Sequence, residues 1–486
     1  MKTLTVQNHI PFELNDIPLV DAEQFRRECI DLFNSGHRLI NLFHTGSRVF
    51  AVCADNQNAQ LQLLSTSFPD KKFMSFAGEF PHTNYLECEL AENSGIIPEG
   101  HPWLRPVRNQ DTMPDGSRYE FYKMHGEEVH EVAVGPIHAG VIEPGHFRFQ
   151  CNGEKVYHLE ISLGYQRRGI EKLMLSAGAG KRLMLSESIA GDTVIGHCSA
   201  YCLAMEALSK TAVSLRASVI RSIAEELERI AMHLTGLNGI ANDVGFAIGA
   251  SSYGRLRTLV INSLAAICGS RFGRGLLIPG GVRFDLDDRK TELITANLEQ
   301  VRRDLQHING FMFDSPSVLS RLEETGIVSR QDAEAIGLTG PCAKASGVET
   351  DSRTQFPYGA YRYNTIATFR LETGDVYARA RIRALEIEES LNYICERLSD
   401  IPQGQIQTPV QELAKDSGVI SITEGWRGEI VHTVFTGEDG DVKYYKIKDP
   451  SFNNWYGLGL AVRNEGVSDF PLCNKSFDLS YAGHDL

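Results

Sequence analysis

The chain has 486 residues, 42% of them hydrophobic and 23% charged, with a formal net charge of −14; that is enough chain for two or three domains. The acidity argues against nucleic acid, whose phosphates select basic surfaces, and no polybasic stretch offers itself to an anionic membrane face. No window reaches the roughly 18 apolar residues of a transmembrane helix, the start lacks a signal-peptide run, and the ten cysteines are scattered without a CxxC pair, so a cytoplasmic protein with reduced thiols is expected.

In chain order, Asp21 to Ser35 has a helical rhythm in Phe25, Cys29, Leu32 and Phe33, followed by two β-rich runs, Leu39–Phe43 and Val49–Ala54, around a turn at His44–Ser47. This predicts a small α+β unit. From Glu92 to Gly126 the pattern dissolves into Gly, Pro, Asn and Asp, the composition of a connector, so a boundary is placed near residue 130, giving units 1–128 and 129–486. Two strands are expected around Gly145–Cys151 and Lys155–Leu163. Long helices follow. The clearest runs from about Ala212 to Ala241, with Ile220, Ile223, Leu227, Ile230, Leu234 and Leu237 on one seam and Arg216, Glu225, Glu228 and Arg229 off it. Similar stripes mark 293–308 (Leu293, Leu298, Val301, Leu305) and 376–398 (Ile382, Leu385, Leu391, Ile394). The expected fold class is α+β, a small N-terminal α+β domain followed by a mainly helical bundle with small β-sheet additions.

Cys198 and Cys202, four apart, would share a helix face, but without further clustered Cys or His they read as two core thiols. The Gly-rich stretches Ala177–Gly180 and Gly275–Gly281 lack the strand–loop–helix context of a phosphate loop.

Several stretches carry more Gly, Pro, His and Arg than packing requires. Gly135–Phe149 (GPIHAGVIEPGHFRF), Gly164–Lys172 (GYQRRGIEK), Arg216–Phe246, Gly269–Arg274 and Pro279–Gly281 occur in that order along the chain. Together they resemble the large subunit of membrane-bound, energy-converting [NiFe]-hydrogenases and of the quinone-site core subunit of respiratory complex I. The N-terminal unit, with Gly100–Arg105, resembles the complex I 30-kDa-type subunit, fused ahead of it.

In a nickel-iron enzyme of this superfamily two CxxC pairs supply four thiolates, because soft anionic sulfur suits such a site. The resemblance puts the early pair at Ala190 and Thr193, and the late pair at Ser451 and Asn454. All four ligands are absent. Complex I, which also lacks them, binds its quinone headgroup in the equivalent crevice, and there the resemblance implies His146 as the histidine and Asp243 as the aspartate behind it. The tyrosine of that clamp falls at or beside Gly191 and the preceding arginine at Ser188. Glu143 lies next to the position of a proton-relaying glutamate in hydrogenases; a carboxylate in a low-dielectric crevice passes protons near neutrality when its pKa is raised, although an exposed turn before Pro144 is an equal reading. Asp243 could equally cap or salt-bridge its helix, His146 could satisfy a loop carbonyl, and Arg167, Arg168, Glu171 and Lys172 could be a solvated face or a partner contact. The new Asp192 suggests no role beyond a helix cap.

The resemblance implies no cofactor bound by this chain, an Fe–S cluster in a small partner subunit, a possible quinone, membrane antiporter-like subunits as further partners in a hetero-oligomer, and a peripheral position on the inner face of the cell membrane.

Overall fold

In the computed structural model, which describes residues 2–109, 112–137 and 143–486, the chain is α+β as expected. Residues 110–111 of the connector and 138–142 of the Gly135–Phe149 motif lie outside the described residues.

The N-terminal unit opens with β1 (Leu4–Gln7) and β2 (Phe12–Glu13), then α1 (Ala22–Asn34), whose first turn is capped by the Asp21 carboxylate accepting from the Gln24 N–H at 2.8 Å. The expected hairpin is β3 (Arg38–Thr45) and β4 (Arg48–Asp55), joined by β5 (Gln60–Thr66) into a sheet of order β1-β5-β4-β3. A parallel pair, β6 (Lys72–Met74) with β7 (Ile97–Glu99), flanks α2 (Asn84–Ser94). The connector carries no further strand or helix among the described residues until β8 (Val129–Val134), which extends the pair of predicted strands β9 (His146–Asn152) and β10 (Lys155–Ser162) in the order β10-β9-β8.

The helical part follows with α3 (Ile170–Ser176), α4 (Ala179–Ser186), α5 (Val194–Leu208), α6 (Leu215–Asp243) and α7 (Ala247–Cys268). The Gly275–Gly281 stretch forms a ribbon, β11 (Leu277–Ile278) against β12 (Gly281–Val282); a Cβ at Gly280 or Gly281 would sit 2.1 Å or 2.0 Å from the carbonyl oxygen of Thr408 or Ile406. Those glycines therefore serve close backbone approach. Next come α8 (Asp288–Asp314), α9 (Pro316–Leu322), α10 (Arg330–Ile336), α11 (Gly340–Ala345), α12 (Ser352–Gln355) and α13 (Val376–Ser399). The strands β13 (Ser417–Gly425), β14 (Gly428–Thr436) and β15 (Val442–Lys448) and the helices α14 (Ser451–Ala461), α15 (Phe470–Phe477) and α16 (Tyr481–His484) complete the chain.

The seam of α6 is buried as predicted, and so are the charged residues read as lying off it: Arg216, Glu225, Glu228 and Arg229 all fall below 10% exposure. From Val219 to Leu234 every position of the helix is buried, so its polar face there is paired internally rather than solvated. On α8 Leu298, Val301 and Leu305 are buried as expected, and only the start of the stripe differs, with Leu293 exposed and Ile294 buried in its place. Strands β13 and β14 are buried along their whole length because both faces are covered. Val419 and Val434 join the helical core, while Ile420, Ile422, Val431 and Phe435 pack with Phe43, Phe50 and Val52 of the N-terminal sheet. The N-terminal segment also enters the C-terminal sheet, where β2 pairs with β13 through Phe12 and Gly418.

Candidate functional site

Two loops converge on one place. The first joins α4 to α5 and carries Ala190 and Thr193; the second joins β15 to α14, which opens at Ser451. With Asn454 on the first turn of α14, the four positions implied for metal thiolates are all 1% exposed or less. Between the loops stands the tip of the β13–β14 hairpin. Gly425 and Gly428 pair across a two-residue turn, Trp426-Arg427, and Gly340 lies so near that a Cβ there would be 2.2 Å from the Arg427 carbonyl oxygen.

This turn aims Arg427 into the crevice. Its Nη1 and Nη2 donate to Asp192 Oδ1 and Oδ2, each at 2.7 Å, Nη1 also reaches Thr193 Oγ1 at 3.3 Å, and Nε donates to the Asp478 carbonyl. The guanidinium lies 3.8 Å from the Trp426 ring centroid, and the Trp426 indole N–H donates to the Asp192 carbonyl at 3.0 Å. A bidentate, planar pair of this kind is what arginine, and not lysine, can make. It also answers the question raised by Asp192: the carboxylate is no cap of α5 but the counter-ion of Arg427. Burial pushes the Asp192 carboxyl up, yet Arg427 outweighs it and holds the group below the ordinary range.

The remaining positions are equally committed. Ser451 Oγ accepts from the Ser480 N–H at 2.9 Å. The Asn454 amide exchanges two hydrogen bonds with the Thr339 backbone at 3.0 and 3.1 Å. An alanine methyl, two bonded hydroxyls and a bonded amide beside a guanidinium supply neither the thiolates nor the negative charge that a nickel-iron centre demands, so these residues do not fit that group.

Behind the crevice runs a line of buried polar side chains. Asp449 Oδ2 lies 3.0 Å from His197 Nε2, His197 Nδ1 is 3.1 Å from His432 Nε2, and His432 Nδ1 is 2.8 Å from the Tyr445 hydroxyl. Burial, with His197 beside it, pushes His432 well below the usual histidine range, so its ring is neutral. Both ring nitrogens of each imidazole are thus engaged within the line. Asp449 Oδ1 accepts from the Ser451 N–H at 2.8 Å. The carboxyl, which burial alone would raise, is held low by His197 and Arg427.

A second buried network anchors the hairpin from below. Arg229 of α6 donates to the carbonyls of Glu424 and Gly425 at 2.8 and 3.2 Å, immediately before the turn. Around it, Arg353 bridges Glu226 and Asp351, and Lys344 bridges Asp351 and Glu386 at 2.6 and 2.7 Å, all with side chains 3% exposed or less. His233 reaches Glu386 at 2.7 Å. Beside it on α6, burial pushes Glu228 up to about 8 against the N–H groups of Ile195 and Gly196, and Glu225 up to about 7.

The three residues implied by the resemblance are placed apart. Glu143 is exposed at the mouth of the crevice, as in its reading as a turn residue before Pro144; partial desolvation and the nearby Asp192 push its carboxyl up, with Arg427 and the Tyr481 N–H opposing. His146 Nδ1 lies 3.1 Å from the Gly135 carbonyl, and its ring meets Phe121 edge-on at 5.5 Å. Asp243 ends α6 in an ion pair with Lys475 of α15. Among the described residues no hydrogen bond or ion pair joins His146 to Asp243. Arg168 donates to the carbonyls of Ser188 and Ile189 in the first loop, and Glu171 accepts from Lys446 at 2.9 Å, so this charge cluster fastens elements rather than forming only a solvated face. Cys198 and Cys202 are buried free thiols with sulfurs 4.0 Å apart.

Arg427, Asp449, His197, His432 and Tyr445 are not distinguished by the sequence. The Gly425-Trp-Arg-Gly428 turn between apolar runs is the one available signal, since it marks a hairpin tip; nothing local points to partners 235 and 252 residues away.

The final residues close the crevice. Tyr481 packs on Trp455, with ring centroids 4.8 Å apart, and over Gly145, where a Cβ would meet it at 2.7 Å. Asp485 accepts from the N–H groups of Gly164 and Gln166 at 2.8 and 2.9 Å, so the GYQRRGIEK motif opens on the C-terminal segment.

Residues 243–417 match the family described as respiratory-chain NADH dehydrogenase, 49 Kd subunit. The carbon monoxide-induced hydrogenase of Rhodospirillum rubrum is 30% identical over 349 residues, 71% of this chain and 96% of that protein. Formate hydrogenlyase subunit 5 of Escherichia coli is 28% identical over 440 residues, 85% of this chain and 77% of that one. The C/D subunit of the NADH-quinone oxidoreductase of Bacteroides thetaiotaomicron is 31% identical over 404 residues, 75% of each chain.

Proposed function

Because the chain belongs to the family of large subunits shared by membrane-bound hydrogenases and complex I-type NADH-quinone oxidoreductases, in which such chains are oxidoreductase subunits of multi-subunit complexes, we propose that it is the fused large subunit of a membrane-associated complex that works without a nickel-iron site. It would receive electrons from an Fe–S cluster in a small partner subunit, pass them to a quinone or another acceptor, and couple this to ion movement in antiporter-like membrane subunits. The observation that carries this reading is the crevice itself. The Arg427–Asp192 pair stands between the two loops, and Ala190, Thr193, Ser451 and Asn454 supply no thiolate. Among the described residues no helix is long and apolar enough to cross a membrane, which agrees with a peripheral subunit. Glu143, at the crevice mouth with a raised carboxyl pKa, suits a proton donor; in the quinone form of the reading His146 contributes a hydrogen bond and Asp243 a second protonatable group.

The test is elemental analysis of the complex purified from its native host through a tag on this chain. Iron without nickel is expected, and stoichiometric nickel would overturn the proposal. If a quinone is the acceptor, His146→Ala abolishes quinone-dependent turnover, and an unchanged rate removes that acceptor.

A second reading, a redox-inactive adaptor that transmits energy within such a complex, is favoured by Gly191 standing where the quinone clamp would need a tyrosine. It predicts that no acceptor is reduced at this crevice even when the partner's cluster is.

A further inference from the structure

The chain carries 62 acidic residues against 48 lysines and arginines, so a group of arginines left without a carboxylate needs a physical reason. Four of them surround loop 269–275, between α7 and β11: Arg257 on α7, Arg271 and Arg274 in the loop, and Arg283 just beyond β12. The loop leans on the first loop of the crevice, where Arg274 Nη1 donates to Ser188 Oγ at 3.3 Å and the Gly275 N–H donates to Glu187 at 2.6 Å. Arg283 Nη1 lies 3.6 Å from where a Cβ of Gly275 would stand. Among the described residues none of the four arginines is in an ion pair, and Arg257 Nε is buried without a hydrogen-bond partner. Arg257 is half-buried, and burial together with the neighbouring Arg271 lowers its guanidinium pKa, so two cations share one site without a counter-ion. Glu187 lies near Arg274 and Arg283, but it is buried and is one charge against four. Asp285, two residues past Arg283, is taken by Arg216 at 2.8 Å. Arg271, Arg274 and Arg283 are exposed. Beside them Met184 of α4, whose carbonyl accepts from the Ser188 hydroxyl, is 67% exposed.

We infer that Arg257, Arg271, Arg274 and Arg283 dock an acidic segment of the partner subunit that feeds the crevice, with Met184 as the apolar contact beside them. This rests on the proposed reading of the chain as one subunit of a redox complex. An apolar anchor rimmed by arginine has the composition of a protein contact, and guanidinium groups select carboxylates, which they bind in a planar, two-bond fashion. Carboxylates from the partner supply the counter-charge that the chain lacks here and relieve the repulsion between Arg257 and Arg271. Because Arg274 also holds Ser188, the docked segment and the first loop of the crevice share one support. A basic patch can instead face anionic lipid. Here the arginines come from separate elements and one of them is half-buried, which suits a few fixed carboxylates better than a fluid layer of headgroups.

The test compares the complex purified from the native host through a tag on this chain with the same full chain expressed alone. Phenylglyoxal labelling read by mass spectrometry should be at least about tenfold slower at Arg271, Arg274 and Arg283 in the complex. Arg271→Glu with Arg283→Glu, at two exposed side chains that pair with nothing else among the described residues, should cut the iron retained per chain at least about tenfold after a wash at about 0.3 M salt. The urea midpoint of the chain should be unchanged. Arg271→Lys with Arg283→Lys, which keeps the charge, should retain most of the iron. Equal labelling in complex and chain overturns the docking surface, and so does full retention of iron by the charge-reversed variant. If the complex holds no iron but the three arginines are protected, the surface stands and the reading of an Fe–S donor falls. If phosphatidylglycerol vesicles protect the isolated chain as fully as the complex does, the patch faces lipid and the proposal falls.

Discussion

Removing the guanidinium from the crevice tests the claim that Arg427 and Asp192 form a coupled pair in place of a metal. Arg427 is 4% exposed at the side chain, and Asp192 39%. Two charge-assisted hydrogen bonds would contribute about 1.5–3 kcal/mol each between fully buried partners, but solvent screens the open side of Asp192, so the pair is put at about 2 kcal/mol. Loss of the donor to the Asp478 carbonyl adds about 1 kcal/mol. Arg427→Met, which retains the stem over Trp426, is therefore expected to cost about 3 kcal/mol. In an Asp192→Asn background the same substitution should cost about 1 kcal/mol, a coupling of about 2 kcal/mol in the double-mutant cycle. Urea denaturation followed by tryptophan fluorescence reads this directly, because Trp426 and Trp455 both lie at the crevice. A coupling below about 0.5 kcal/mol would refute the pairing as an energetic unit, whatever the single substitutions cost.

Lys344→Met should be more damaging still, about 3–5 kcal/mol, because it strands Asp351 and Glu386 in a site from which water is excluded; a urea midpoint close to that of the native chain would contradict it. The pH dependence of stability follows from opposing groups. Arg38 and Lys448 hold buried Glu429 at about 2 although burial pushes it up, so its contribution is present above the unfolded carboxylate pKa and lost as pH falls from about 5 towards 2. Neutral His9, His82 and His233, lowered chiefly by burial to about 3, 4 and 4, begin to cost stability as pH falls below about 6.5. Glu87, Glu225 and Glu228, raised by burial to about 7, 7 and 8, act the other way: their contribution is lost as pH rises from the unfolded carboxylate range up to those values, offsetting the histidines below about pH 6.5 and unopposed above it. Urea midpoints should therefore form a plateau between about pH 5 and 6.5 and decline on both sides; a midpoint still rising from about pH 6.5 to 8 would show that the raised carboxyls are wrongly assigned.

By itself the sequence determined the elements whose signals are local. Asp21 and the Phe25–Phe33 spacing define α1, and the β-branched and aromatic runs on either side of His44–Ser47 define the first hairpin. The seam of α6 and the absence of cysteine at 190, 193, 451 and 454 are likewise plain in the order of residues. Helix α7 has no such signal, since it opens on a Gly- and Ser-rich stretch, and neither have β13 and β14, whose burial on both faces erases the alternation that marks an ordinary strand. Only the tertiary structure decided what occupies the crevice. Arg427 meets Asp192 across 235 residues and His197 meets Asp449 across 252, and the charges of α6 prove buried because α13, the Lys344–Arg353 segment and the hairpin close over them. Periodicity reports which face of a helix is apolar; whether its polar face meets water or a buried counter-ion depends on elements that the chain brings in from elsewhere.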